Sequence, residues 1–470
     1  MPREWIMGQA FPRRRAAILP WLLVCCLAAG FAAETRGDGV NFAREIAPIL
    51  AAKCVACHQP SKTKGGYQVH TFKAFMTAGR SKEVPVVPGN PNKSHLFQLL
   101  NARDPDDRMP QDDEPLSPEQ IAMIRRWIEE GARADGMDPD KPLSILVAAQ
   151  GSSAPPAEYS RVIPILALAF NSDGSRLAAG AYHEVIVWDP GTGRLLRRIQ
   201  NVARQVQQLS FSPDGSLLAV AAGTPGRLGE VKLLDSATGQ LLRTAGLAPD
   251  LMNSVAFSPD GRHLALAGAD NSISLIDATS GALLFRSELN ADWVMQLAFS
   301  SDGKQIASAS RDKTVRLLDV KNGELEQTYT GHNSAVFAVA FLPGGKGVIS
   351  GGRDRSIHLW QESDGKKIGD SGPLPGEILR LAVMGERIVA GLNNGEIREY
   401  RVNGKRIEFV RKVGQHGDSV AALAADEKTS RLASAGFDGQ IRVWDLKEEA
   451  LEREFAGLPG LRVGGRKTED

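Results

Sequence analysis

Five consecutive residues carry the chemistry of this chain: Cys54-Val55-Ala56-Cys57-His58. Two thiols three residues apart, with a histidine directly after the second, is the spacing for covalent attachment of a c-type haem. Each thiol can add across one vinyl group to form a thioether. The following imidazole can then face the iron from the proximal side. Its second ring nitrogen needs a hydrogen-bond partner that the sequence does not identify. Paired thiols have two competing readings. A zinc half-site needs a second pair of ligands, and no further cysteine pair follows. A dithiol redox pair sits in a βαβ pattern, which is absent.

Haem iron has a second axial position, and Met109 in Arg108-Met109-Pro110 is the candidate for it. It lies 51 residues after His58 in a proline-flanked loop. A thioether is a soft, neutral ligand of the kind that raises the potential of haem iron. His70, His95 and Met76 are the alternatives. The loop around Met109 is acidic, with Asp104, Asp106, Asp107, Asp112, Asp113 and Glu114 against Arg108. Such a loop either steers a cationic partner or is a solvated surface.

Helices must position these groups. Phe42, Ile46, Ile49 and Leu50 share one helical face and lead into Cys54, with Pro48 interrupting or restarting the helix. A second helix is predicted over 94–100, with Ser94 as N-cap. A third begins at the capping box Ser117-Pro118-Glu119-Gln120. It carries Ile121, Ile124 and Ile128 on one face and ends at Gly131. Trp127 is expected against the first helix or along the haem edge.

Residues 42–132 resemble the planctomycete-type class of small c-type cytochrome domain. The resemblance rests on Ile46-Ala47-Pro48-Ile49-Leu50, Lys53-Cys54-Val55-Ala56-Cys57-His58 and Lys64-Gly65-Gly66. It continues through Val87-Pro88-Gly89, Ser94-His95-Leu96, Arg108-Met109-Pro110 and Arg126-Trp127-Ile128-Glu129-Glu130-Gly131-Ala132. It implies haem ligation by His58 and Met109, and names no redox partner.

The whole chain has 470 residues, 42% hydrophobic and 24% charged, with a net charge of +1. This is globular material with no sign of nucleic-acid or anionic-membrane binding. Arg13-Arg14-Arg15, the apolar run Ala16 to Ala29 and Gly30-Phe31-Ala32 predict a signal peptide over 1–33. An uncleaved anchor is the alternative, but the run is short for a membrane span. The two other cysteines, Cys25 and Cys26, fall inside that signal. A periplasmic or otherwise exported location agrees with haem attachment, which in bacteria takes place outside the cytoplasm.

A repeat fills the C-terminal part. Phe170-Asn171-Ser172-Asp173-Gly174, Phe211-Ser212-Pro213-Asp214-Gly215, Phe257-Ser258-Pro259-Asp260-Gly261 and Phe299-Ser300-Ser301-Asp302-Gly303 are one unit, a strand entering a tight turn. A later strand in each repeat ends at Trp188-Asp189, Leu234-Asp235, Ile276-Asp277, Leu318-Asp319, Trp360-Gln361, Tyr400-Arg401 or Trp444-Asp445. The spacings are 46, 42, 42, 42, 40 and 44. Seven units of this period resemble WD repeats, each a four-stranded propeller blade. The sixth is degenerate. His332, Ser350, Asp354 and Trp360, and likewise His416, Ser434, Asp438 and Trp444, match the polar set that braces a blade in that family. His358 is expected to be packing or surface. The ring closes either with the strand near 451–455 or with the segment near 159–163.

The predicted architecture is multidomain. A small all-α c-type cytochrome domain occupies 40–135, a linker 136–160, and an all-β seven-bladed WD-repeat propeller 161–457. A disordered tail covers 458–470. The expected function is an exported electron-transfer protein with haem c and an unidentified redox partner protein, making and breaking no substrate bond. The propeller is expected to dock a protein on its loop face, through Tyr182, His183, Glu184, Arg227, Trp293, Arg311 and Arg353, with Lys313 and Arg355 beside them. The loop Gly223 to Glu230 is expected to be unusually long. Alternatives are a haem enzyme using the propeller as a substrate or second-cofactor site, with His183 or His263 as ligand, and a haem-based sensor or scaffold.

Overall fold

The computed structural model describes residues 39–460, apart from 61, 112, 135, 138, 141, 149–154, 227 and 249. The predicted signal peptide, Asp112, Arg227 and most of the predicted tail lie outside the described residues.

The N-terminal region is mostly helical. Asn41 caps a turn of π-helix, Phe42–Ile46, its side chain accepting from the Arg44 amide at 2.9 Å. The chain continues into α1, Ala47–Lys53, with Pro48 in its first turn, where a missing N–H costs nothing. Proline therefore restarts the helix rather than breaking it. The region is not purely α. A two-residue hairpin pairs His58–Gln59 with Lys62–Thr63. Gly65 and Gly66, at φ 65° and 69°, then turn the chain back on itself. The Lys64 amide bonds the Cys57 carbonyl at 3.1 Å, and the Val69 amide bonds that of His58 at 2.8 Å.

Thr71 caps the short α2, Phe72–Phe75. Helix α3 is His95–Leu100, and α4 is Pro118–Glu129 with its capping box formed in both directions. Ser94 departs from expectation. It makes no cap bond to α3; its hydroxyl accepts from the Val87 amide at 2.8 Å and donates to the Asn90 carbonyl at 2.9 Å. It is fully buried and clamps the Pro/Gly stretch before the helix.

One cluster forms the core here. Trp127, fully buried, lies with its ring centre 5.3 Å from that of Phe42 and 6.0 Å from that of Phe75, and its Nε1 donates to the Arg133 carbonyl at 3.1 Å. Part of the expected linker belongs to this core. Helix α5, Leu143–Ala148, buries Leu143 against it, and the Leu143 amide bonds the His70 carbonyl at 2.8 Å.

From 168 to 456 the described residues form seven four-stranded antiparallel sheets, each built from four consecutive strands. They span 168–199, 205–248, 252–287, 294–329, 336–373, 378–415 and 420–456, and are numbered here as blades 1 to 7. The first strand of each blade contacts the first strand of the next, and that of blade 7 contacts that of blade 1, so the ring is closed around an axis. Strand Ala450–Ala456 is the fourth strand of blade 7, whereas 159–163 is no strand. That segment instead crosses the seam: the Tyr159 amide bonds the Pro459 carbonyl at 3.1 Å and the Ile165 amide bonds that of Gly436 at 3.0 Å.

The repeated turns show why the repeat folds this way. The hydroxyls of Ser212, Ser258 and Ser300 reach Asp214, Asp260 and Asp302 at 2.5, 2.5 and 2.8 Å. The glycines that follow those aspartates stand at φ 75°, 72° and 72°.

Candidate haem site and propeller face

Helix α1 delivers the Cys54–His58 turn. The His58 amide bonds the carbonyls of Cys54 and Val55 at 3.1 and 3.2 Å, which winds the segment so that both thiols and the imidazole leave one turn. Both cysteines are free thiols. Burial, reinforced by the neighbouring Cys57, pushes the Cys54 thiol up to about 12. A redox dithiol has the opposite character, a thiol made acidic.

His58 Nδ1 lies 3.1 Å from the backbone carbonyl of Tyr67. That contact sets the tautomer with the proton on Nδ1 and leaves the Nε2 lone pair free for a metal. Tyr67 is anchored in turn, its hydroxyl donating to the Phe75 carbonyl at 2.6 Å. No sequence signal points to Tyr67, because its contribution is a main-chain oxygen. Two thiols and one tautomerically fixed imidazole are the donor set a c-type haem requires, so the residues present fit the group.

Met109 is half-buried, and its amide bonds the Leu99 carbonyl at 3.1 Å, tying the loop to the end of α3. Among the alternatives, Met76 packs on the N-terminal core, while His70 and His95 are half-buried. Burial lowers the pKa of His70, whose Nδ1 has no hydrogen-bond partner among the described residues. The described acidic residues near Met109 are exposed, and Asp113 reaches Lys53 at 3.1 Å.

The propeller face departs in part from expectation. Glu184 is fully buried and cannot dock a partner. It directly precedes the strand Val185–Trp188 and points inward, where Arg198 holds it bidentately at 2.7 Å and the Tyr159 hydroxyl donates to it at 2.7 Å. Gly223 to Glu230 is mostly extended hairpin rather than loop: Gly223 pairs with Gly229 and Ala222 with Glu230. Glu230 is buried too, 3.0 Å from Lys232.

Tyr182 and His183 are half-buried, their rings 4.4 Å apart, and His183 Nδ1 lies 3.3 Å from the Val202 carbonyl. Arg311 is exposed over the Trp293 ring at 4.5 Å, and Arg353 is exposed 3.3 Å from Glu377. Lys313 and Arg355 are exposed at φ 73° and 62°, where longer side chains are strained. His263 opens the strand His263–Gly268 and is not a loop residue.

His332, Asp354 and His358 bring three ligand atoms within 4.8 Å of one another. Their geometry is that of a brace and not of a metal centre. His332 Nδ1 meets Asp354 and its Nε2 meets Ser350, both at 2.7 Å. The rings of His332 and His358 stack at 4.0 Å and 11°, so their in-plane lone pairs run parallel and do not converge. His358 is buried, with Nδ1 2.8 Å from the Tyr329 hydroxyl. Burial, with the charges of His332 and Lys367, lowers its pKa to about 4 against the opposing pull of Asp354 and Asp370.

A Cys-x-x-Cys-His turn with a fixed imidazole, followed in the same chain by a closed ring of seven blades, defines a cytochrome–propeller fusion. Comparison with known families agrees. The model described as Planctomycete cytochrome C matches residues 54–113, and that described as WD domain, G-beta repeat matches 244–277, 285–319, 323–361 and 407–445. The chain is therefore a fusion of a planctomycete cytochrome c segment with a WD-repeat propeller. The first match implies haem binding and the second a protein-interaction fold. A search of curated proteins returned no match. No helix among the described residues is long and apolar enough to cross a membrane.

Proposed function

We propose that this chain is an exported electron-transfer protein whose N-terminal, essentially helical domain carries one covalently attached haem c and whose propeller docks a protein partner. The observation that carries the reading is His58. It stands directly after two free thiols, with Nδ1 engaged by the Tyr67 carbonyl and Nε2 left for iron. When bound, the haem supplies reversible one-electron exchange. Cys54 and Cys57 would hold it as thioethers, and His58 and Met109 would supply the two ligands to its iron. Orienting His58 through a main-chain carbonyl makes its geometry independent of any neighbouring side chain's titration. The exposed carboxylates around Met109 favour a cationic surface on the electron donor or acceptor. Exposed Arg311, Lys313, Arg353 and Arg355 make the loop face of blades 4 and 5 the docking surface. Export is supported by the basic-then-apolar N-terminal sequence and by where haem is attached.

The test is the visible spectrum of the full chain, co-expressed with a c-type maturation system, oxidised and reduced. The reading expects covalent haem with a sharp reduced c-type band and, when oxidised, the far-red charge-transfer band of thioether–iron ligation. Met109→Ala removes the far-red band and keeps the haem. Cys54→Ala with Cys57→Ala loses the haem and keeps the propeller. Covalent haem surviving the double cysteine substitution would overturn the attachment site, and an unchanged far-red band in Met109→Ala would overturn the distal ligand.

A further inference from the structure

Arg380 lies on the innermost strand of blade 6, Ile378–Met384, where it pairs with Gly391 directly after a bulge. Cross-strand partners share a sheet face. A Cβ placed on Gly391 would stand 2.8 Å from Val420 and 3.3 Å from Leu423, so this face looks at the innermost strand of blade 7. The same position in blades 3 and 4 holds Ser254 and Gln296, paired with Ala267 and Ala309. Both are acceptors for the next blade's inner strand. The Leu297 amide donates to Ser254 Oγ at 2.9 Å and the Val339 amide to Gln296 Oε1 at 3.3 Å. The corresponding amide beside Arg380 is that of Leu423, which pairs with Ser434 as Leu297 does with Ser308 and Val339 with Ser350. A guanidinium has five donors and no acceptor. At this point of the ring, donor therefore faces donor.

The charge is also uncompensated. Four other cations drawn into the blades each have a carboxylate: Arg316 has Asp312 at 2.7 Å, Arg442 has Asp438 at 3.0 Å, Arg198 has Glu184 at 2.7 Å and Lys232 has Glu230 at 3.0 Å. Among the described residues no carboxylate pairs with Arg380. Among those residues its one hydrogen bond runs from Nη1 to the carbonyl of Leu379 at 2.9 Å. The surrounding strands push its pKa down to about 10, by burial alone, so it stays charged at neutral pH. The residue is half-buried, so a small solute can reach it.

We infer that the axial side of blade 6 is an oxyanion-binding site, in which Arg380 and the Leu423 amide together hold one carboxylate or phosphate group. Guanidinium and amide donors converging on one point are the pairing that such groups accept. The missing counter-charge is thus supplied from outside the chain.

The test uses the full haem-loaded chain at constant ionic strength, with chloride exchanged for inorganic phosphate in one arm and for succinate in the other. Wild type is expected to bind one anion per chain by calorimetric titration and to melt at a saturably higher temperature in its presence. The arm that responds assigns the site to phosphates or to carboxylates. Arg380→Gln is expected to bind about tenfold more weakly or not at all, because the charge-assisted bonds are lost. It should also melt no lower than wild type without anion, since it removes an unpaired, half-buried charge. Arg262→Gln, at a side chain 81% exposed, keeps the wild-type response. No stoichiometric binding in either arm, or undiminished binding in Arg380→Gln, overturns the inference. The wild-type titration decides even if that variant does not fold, and the visible spectrum reports the haem separately.

Discussion

Removing one hydroxyl should weigh differently in two blades that look alike. In blade 7, Ser434 Oγ accepts from Trp444 Nε1 at 2.8 Å and lies 2.8 Å from His416 Nε2. Asp438 takes the proton on His416 Nδ1, at 2.9 Å, so Ser434 is the donor to Nε2. In blade 5, Ser350 meets His332 Nε2 at 2.7 Å, but Trp360 Nε1 has no hydrogen-bond partner among the described residues. There the indole is held by stacking on Tyr329, at 5.3 Å and 2°. Both serines are fully buried. A buried polar group left unpaired costs about 1–3 kcal/mol. Ser350→Ala orphans one such group and should cost about 1–2 kcal/mol. Ser434→Ala orphans two and should cost about 2–4 kcal/mol. Urea unfolding followed by circular dichroism measures both. A double-mutant cycle isolates the indole: Ser434→Ala with Trp444→Phe should couple by about 1 kcal/mol, and Ser350→Ala with Trp360→Phe by nothing beyond ordinary non-additivity. Equal coupling in the two blades would refute the assignment of the hydrogen bonds.

Two further outcomes follow from buried groups. The folded pKa of His358 is about 4, below the value near 6.5 of an unfolded histidine, so the unfolded chain binds more protons between the two and stability falls as pH descends through that window, by up to about 3 kcal/mol. Melting temperature against pH should flatten between those values in His358→Gln, leaving the loss below about pH 4, where the unfolded chain's carboxylates take up protons before Asp354 and Asp438 do; burial is the largest single influence and raises both, but the bonds and charges of their histidine neighbours and the nearby backbone amides together outweigh it. Trp127→Ala should cost the haem region about 3–5 kcal/mol, read as an earlier denaturant midpoint in the haem absorbance. An unchanged haem midpoint, or a blade transition that moves with it, would refute separate cores.

How much could be read from the sequence depended on whether a residue's role is local. The haem turn, the α4 capping box and the Ser-Pro-Asp-Gly turns are set within a few residues, and the structure shows their local bonds. Roles that need a second chain segment were hidden. The Tyr67 carbonyl reaches His58 only because Gly65 and Gly66 fold the chain back, and α5 counts as core only because it meets Phe42 and its neighbours. The type and place of Ser94 predict a cap, yet the loop before it offers nearer partners.

Glu184 shows the same limit on charge. A carboxylate between Tyr182-His183 and a strand reads as exposed, since lone charges rarely enter a core. Register overrules that expectation. Glu184 precedes Val185, as Glu230 precedes Val231, Thr314 precedes Val315 and Gln440 precedes Ile441, and each of those apolar residues pairs inside its blade. The position is thus an inward polar step shared by the blades, and what it holds depends on its neighbour. Arg198 and Tyr159 make a carboxylate tolerable in blade 1, and Lys232 does so in blade 2. Arg380 is the converse case, an inward step whose neighbour brings another donor, and only alignment of the blades by hydrogen-bond register distinguishes the two.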